Sequence, residues 1–119
     1  MKVQVRKLNS VSVLDASGDV DLYSSPRLRE ALLAEIKADG PSVLVNMSGV
    51  TYIDSSGIAT LVEGLQLSRQ TQTRFGLFGL RPNARSVLEL ARLHKVFTIF
   101  EAEAEALEKI GSVAPFSGL

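Results

Sequence analysis

Apolar positions along the chain follow two rhythms, a period of two and a helical period of three to four residues. Val3, Val5 and Leu8, then Val11, Val13 and Leu14, form two short runs rich in β-branched residues, separated by Asn9-Ser10. This pair predicts a β-hairpin, with Gly18-Asp19 closing the second strand. Ser24-Ser25-Pro26 then reads as a helix start. A serine at position 25 accepts bonds from the first free amides, and Pro26 suits the first helical position because it has no N–H to leave unpaired. Leu28, Leu32, Leu33 and Ile36 repeat at helical spacing, and Gly40-Pro41 ends the segment.

Val43-Leu44-Val45 is apolar on both faces, the pattern of a central strand covered on each side. After Tyr52-Ile53 a second helix is predicted, with Ile58, Leu61, Val62 and Leu65 on one face and Thr60, Glu63, Gln66, Arg69 and Gln70 on the other. Phe75, Leu77, Phe78 and Leu80 predict another strand. Pro82 opens a third helix carrying Val87, Leu88, Ala91 and Leu93. Val96, Phe97, Ile99 and Phe100 predict a last strand, and positions 102 to 110 a last helix. The order β-β-α-β-α-β-α-β-α implies one α/β domain. Its expected form is a mixed, mostly parallel sheet of about five strands packed against about four helices. The domain is expected over residues 1–112, and residues 113–119, with Gly, Pro and Ser among them, as a disordered tail.

Composition narrows the function. A chain of 119 residues has the size of one domain. It buries roughly two-thirds of its unfolded surface on folding. Thirteen basic residues balance thirteen acidic ones, and the arginines are scattered, so the surplus of positive charge that phosphate backbones demand is missing. Nucleic acid is therefore not an expected partner. The absence of cysteine removes disulfides, thiolate metal sites and cysteine nucleophiles. No apolar run reaches the length of a membrane span, so direct membrane insertion is not expected and the default location is cytoplasmic. A small, neutral chain without large apolar runs leans towards a monomer.

The segment Val50-Thr51-Tyr52-Ile53-Asp54-Ser55-Ser56-Gly57-Ile58 carries the chemistry. Asp54 is a good N-cap for the second helix, its carboxylate able to accept bonds from the amides of Ser56 and Gly57. Ser55 then falls on the first helical residue, with its hydroxyl at the helix mouth, and Gly57 keeps the first turn slim. A phosphate on Ser55 would carry about −1.5 to −2 charges. The positive helix end favours it by about 0.3–1 kcal/mol while Asp54 opposes it, so the fold itself is little affected. In an interface the same dianion brings repulsion and desolvation worth several kcal/mol. A helix cap alone is the simpler use of such residues.

Nearly the whole chain, about residues 11 to 109, resembles a STAS domain, and specifically the stand-alone anti-sigma factor antagonists, bacterial regulators of transcription. The resemblance rests on Gly18-Asp19-Val20-Asp21, Val43-Leu44-Val45-Asn46, Tyr52-Ile53-Asp54-Ser55-Ser56-Gly57-Ile58, Pro82, and Leu93-His94-Lys95-Val96-Phe97. It implies that Ser55 is phosphorylated by an anti-sigma factor that is itself a serine kinase. The unphosphorylated form would bind that kinase, and a PP2C-type phosphatase would restore it. The resemblance places Asp21 near the acceptor and implies a partner-binding surface of Asp21, Asp54, Ser55, Ser56, Gly57 and Ile58. One departure is Arg81, which stands where the family commonly has a serine cap before the proline. Because the Asp-Ser-Ser-Gly-Ile core recurs across STAS domains, the alternative is a subunit of a lipid-transport ABC complex that binds the ATPase.

Enzymatic readings fare worse. Gly-x-Ser-x-Gly is absent, and the chain's single histidine, His94, reads as a loop residue rather than a catalytic base. Neither glycine-rich phosphate loop occurs, and Gly76 and Gly79 read as close packing. Glu101, Glu103 and Glu105 alternate, which spreads them around a helix surface rather than gathering them as metal ligands. The expected protein is therefore not an enzyme, has no cofactor or metal, and works by binding.

Overall fold

The computed structural model describes residues 1–38 and 40–113. The predicted hairpin is present as β1 (Lys2–Leu8) and β2 (Val11–Val20), antiparallel from Lys2 opposite Ser17 to Leu8 opposite Val11. Asn9 sits at φ 57, a left-handed turn conformation that asparagine tolerates better than most residues. Then follow α1 (Ser25–Lys37), β3 (Ser42–Ile53), α2 (Ser55–Thr71), β4 (Arg74–Phe78), α3 (Pro82–Leu90), β5 (Ile99–Phe100) and α4 (Glu103–Lys109). A single 3-10 turn, Ile110–Ser112, leads to Val113, the last described residue. The sheet order is β1-β2-β3-β4-β5, parallel from β2 to β5. The α/β class, the mixed sheet and the helix count follow the sequence pattern.

Both faces of the sheet are covered, which explains why β3 is apolar on each side. Leu14, Val43, Val45, Met47 and Leu77 join Leu28, Leu32 and Ile36 of α1, Leu61 and Leu65 of α2, and Leu88 of α3 in the larger core. Their alternates Val13, Leu44 and Phe78 pack with Phe100, Ala106 and Ile110 beneath α4. Arg6 fastens α4 to the strands: its guanidinium bonds both Asp15 oxygens at 2.6 and 2.9 Å and also holds Glu103. Glu103, expected on a solvated face, is thus an ion-pair partner, while Glu101 does remain exposed.

Several boundaries differ from the sequence expectation. The strand β2 does not close at Gly18-Asp19; it runs to Val20 through two shifts in its register with β3. Gly18, at φ +92, supplies the backbone freedom for that irregularity. The cap of α1 is Ser24, not Ser25; Ser25 is buried, and the Ser24 hydroxyl turns back to donate to the Asp19 carbonyl at 2.8 Å. Thr60, expected on the outer face of α2, is 5% exposed. The last strand shortens to Ile99–Phe100, although Phe97 stays buried and meets Phe75 edge-on, with ring centroids 6.3 Å apart. The third helix begins at Pro82 as predicted, and Arg81 at its N-cap makes no side-chain capping bond. Of the expected tail, residues 114–119 lie outside the described residues.

Candidate functional site

The parallel strands end at one edge of the sheet, where β2 passes into α1, β3 into α2 and β4 into α3. Such edges gather connecting segments from several elements, which is why ligands and partners use them. At this edge β2 and β3 stay paired to their last residues, Asp19 beside Tyr52 and Val20 beside Ile53. The Asp54 amide donates to the Val20 carbonyl at 3.1 Å, and the Thr51 hydroxyl to Asp19 at 2.6 Å. The Ile53 amide donates to the Asn83 side chain of α3 at 3.0 Å. Three elements are thereby tied together around the start of α2.

Asp54 caps α2 as predicted. Its extended backbone lets one carboxylate oxygen accept from the amides of Ser56 at 2.9 Å and Gly57 at 3.4 Å, and from the Ser56 hydroxyl at 2.6 Å. The Ser56 hydroxyl holds the Asp54 carboxyl below the usual carboxylate range, with the amides adding to the effect and Asp21 opposing it. Asp21 is lowered as well, first by the Ser24 amide, which donates to its carboxylate at 3.0 Å, and then by the Ser24 hydroxyl. Both groups are therefore anionic at neutral pH.

The two serines are not equivalent. Ser56 is partly buried and its hydroxyl is committed to Asp54. Ser55, the first residue of α2, is exposed, and among the described residues nothing engages its hydroxyl. A phosphoryl donor can therefore reach Ser55 without breaking the cap. Gly57 and Ile58 point the other way. A Cβ on Gly57 would lie 2.5 Å from Ile53 and 2.8 Å from Val20, so the slim turn serves close packing of helix on sheet. Ile58 is 7% exposed within the core. Asp21, Asp54, Ser55 and Ser56 thus share the rim, and Gly57 and Ile58 set the position of the helix beneath it.

Around this rim lie two residues that the sequence reading passed over, Leu22 and Tyr23, and one, Tyr52, that it placed in the motif without a role. Leu22, Tyr23 and Tyr52 are 69%, 92% and 46% exposed. Packing within the fold does not account for side chains of that size left facing solvent beside the start of α2. The signal was available: an apolar pair between Asp21 and the helix cap belongs to neither the strand nor the helix pattern. Asp19, Asp21 and Asp54 make the rim acidic, and none forms an ion pair among the described residues.

The residues weighed for other chemistry lie elsewhere. His94 occupies the connection between α3 and β5, with a buried Nδ1 that has no hydrogen-bond partner among the described residues and no bond to Ser55. Gly76 packs against Phe100 and Leu44, and Gly79, at φ +73, against Ser48. Among the described residues no cluster of His, Asp or Glu is arranged to hold a metal ion. No helix among them is long and apolar enough to cross a membrane.

Comparison with known proteins bears on this edge. The STAS domain model matches residues 2–106. The Mycobacterium tuberculosis protein named anti-sigma-F factor antagonist RsfB is 32% identical over 106 residues, covering 88% of this chain and 85% of that one. A crystal structure of an anti-sigma factor antagonist from Mycobacterium paratuberculosis superposes with a TM-score of 0.84 at 26% identity, covering 92% and 93% of the two chains. The fold is also that of SpoIIAA, an anti-sigma factor antagonist solved in its unphosphorylated form. There the TM-score is 0.80 at 18% identity, over 95% of this chain and 99% of that one.

Proposed function

This chain belongs to the STAS domain family, among the anti-sigma factor antagonists, and on that premise we propose that it is a protein-binding switch thrown by phosphorylation of Ser55. In the unphosphorylated form the rim of Asp21, Asp54, Ser55 and Ser56, with Leu22, Tyr23 and Tyr52 beside it, binds an anti-sigma factor that is also a serine kinase. Transfer of a phosphoryl group to the Ser55 hydroxyl releases that partner, and a PP2C-type phosphatase reverses the step. The observation that carries the reading is the division of labour between the serines. Ser56 completes the Asp54 cap, while Ser55 stands free and exposed at a helix mouth that tolerates negative charge. The relatives' names support an anti-sigma factor as the partner.

Labelling by the cognate kinase tests this. Ser55→Ala should abolish phosphate incorporation and still bind the kinase, whereas Ser56→Ala should still accept phosphate. Label in Ser55→Ala equal to wild type would remove Ser55 as the acceptor. A pull-down that returns an ABC ATPase and no kinase would favour the lipid-transport role instead.

A further inference from the structure

The proposed switch leaves an electrostatic problem at the rim. Asp19, Asp21 and Asp54 already gather there, and Asp21 and Asp54 are close enough for the charge of one to act on the other. A phosphate on Ser55 adds about −1.5 to −2 charges to that group. The positive end of α2 offsets part of this, but its amides at Ser56 and Gly57 are already turned to Asp54. A cation beside it would offset the remaining repulsion and lengthen the life of the phosphorylated state.

The described arginines differ in availability. Arg6 is held by Asp15 and Glu103, Arg29 by Glu63, Arg74 by the Val113 carbonyl, and Arg85 reaches Glu101 at 3.4 Å. Arg27, Arg81 and Arg92 are exposed, and among the described residues no bond or ion pair occupies their guanidinium groups; Arg27 belongs to the first turn of α1 and Arg92 lies past the end of α3, so position and not availability distinguishes Arg81. Its backbone is placed by two anchors. Gly79 packs on Ser48 of β3, and two residues past Arg81 the Asn83 side chain accepts from the amide of Ile53, itself two residues before Ser55. Residues 79–83 therefore run beside the last half of β3 towards the start of α2. An extended backbone at Arg81, with φ −79 and ψ 163, puts it at the N-cap of α3, where its side chain makes no capping bond.

Resting on the phospho-switch reading, we propose that Arg81 is the counter-charge of phosphorylated Ser55. Its guanidinium pairs with the phosphate oxygens once the group is installed and stabilises the phosphorylated state. Arg81 is then a regulatory residue: it takes little part in the unphosphorylated form and sets how long the released state persists. A planar guanidinium suits this role because it can meet two phosphate oxygens at once.

The test installs phosphoserine at position 55 during synthesis, so it does not depend on any kinase recognising the chain. Titration of the phosphate by phosphorus NMR then reads the proposed pair. A paired phosphate has its second ionisation, ordinarily near 6, pulled down. Arg81→Gln should raise that midpoint by about 0.2–0.7 unit, the span of an exposed ion pair, and Arg81→Lys should restore part of it. Arg92→Gln, which removes an equal charge from the far end of α3, should leave the midpoint in place. Identical midpoints in wild type and Arg81→Gln, or equal rises in Arg81→Gln and Arg92→Gln, would overturn the pairing. Because the phosphate is installed directly, either result stands whether or not a kinase labels Ser55 in the cell.

Discussion

At the scale of single residues, the site separates side chains that hold the helix from side chains free to meet a partner. Asp54 belongs to the first group. Its carboxyl is lowered in the folded protein, chiefly by the Ser56 hydroxyl, so the stabilisation it gives is fully present above the unfolded value of about 3.9 and is lost as pH falls through the folded value. Asp54→Ala should accordingly lower the thermal midpoint at pH 7, as loss of an N-cap does, and the gap to wild type should narrow near pH 3. An equal gap at both pH values would mean that the charge of the cap is irrelevant. Tyr23 belongs to the second group. At 92% exposure it makes little contact with the fold, so Tyr23→Ala should leave the melting temperature unchanged. It should weaken the anti-sigma factor by more than about 1 kcal/mol if the ring is an anchor of the interface. Calorimetric titration with the purified partner would decide, and unaltered affinity would take Tyr23 out of the contact surface.

At the scale of elements, legibility in the sequence followed how local the determining contacts are. The hairpin, the start of α3 at Pro82 and the cap at Asp54 depend on neighbours in the chain, and each was readable. The cap of α1 was misread because Ser24 serves the Asp19–Asp21 turn rather than the helix amides, a choice made by tertiary position. Val96 and Phe97 pack against the core from a loop, so burial there imitated a strand. Glu103 looked like surface because its partner, Arg6, is 97 residues away in sequence. That distant contact matters to α4, whose seven residues are too few to hold a helix without tertiary support. The Arg6–Glu103 pair is more than a third exposed on both sides, which limits its worth to about 0.2–1 kcal/mol. Glu103→Gln should therefore quicken hydrogen exchange in α4 by a few-fold while leaving the amides of β2 and β3 protected. Uniform exchange across the molecule would show that α4 opens only with the whole domain.

At the scale of the whole molecule, the question is how a modification on one hydroxyl is felt by a partner without being felt by the fold. The sheet is covered on both faces, and its two apolar clusters lie behind the edge that carries Ser55. The start of α2 is fixed by the Asp54 cap, by the bond to Val20 and by Asn83 from α3, none of which uses the Ser55 hydroxyl. A phosphate there breaks no contact and enters solvent, where the helix end offsets about 0.3–1 kcal/mol of its cost. Inside a docked interface the same charge would be desolvated and opposed by the neighbouring rim carboxylates, and each 1.4 kcal/mol of that is about tenfold in affinity. The phosphorylated protein should thus melt within a few degrees of the unmodified one and bind the anti-sigma factor at least about tenfold more weakly. Ser55→Asp should fall between the two in affinity, since it supplies one charge where phosphate supplies nearly two. Melting and titration on the same samples separate the mechanisms: a large drop in melting temperature accompanying lost affinity would mean that phosphorylation acts by loosening α2, whereas lost affinity on an unchanged fold places the switch in the charge at the rim.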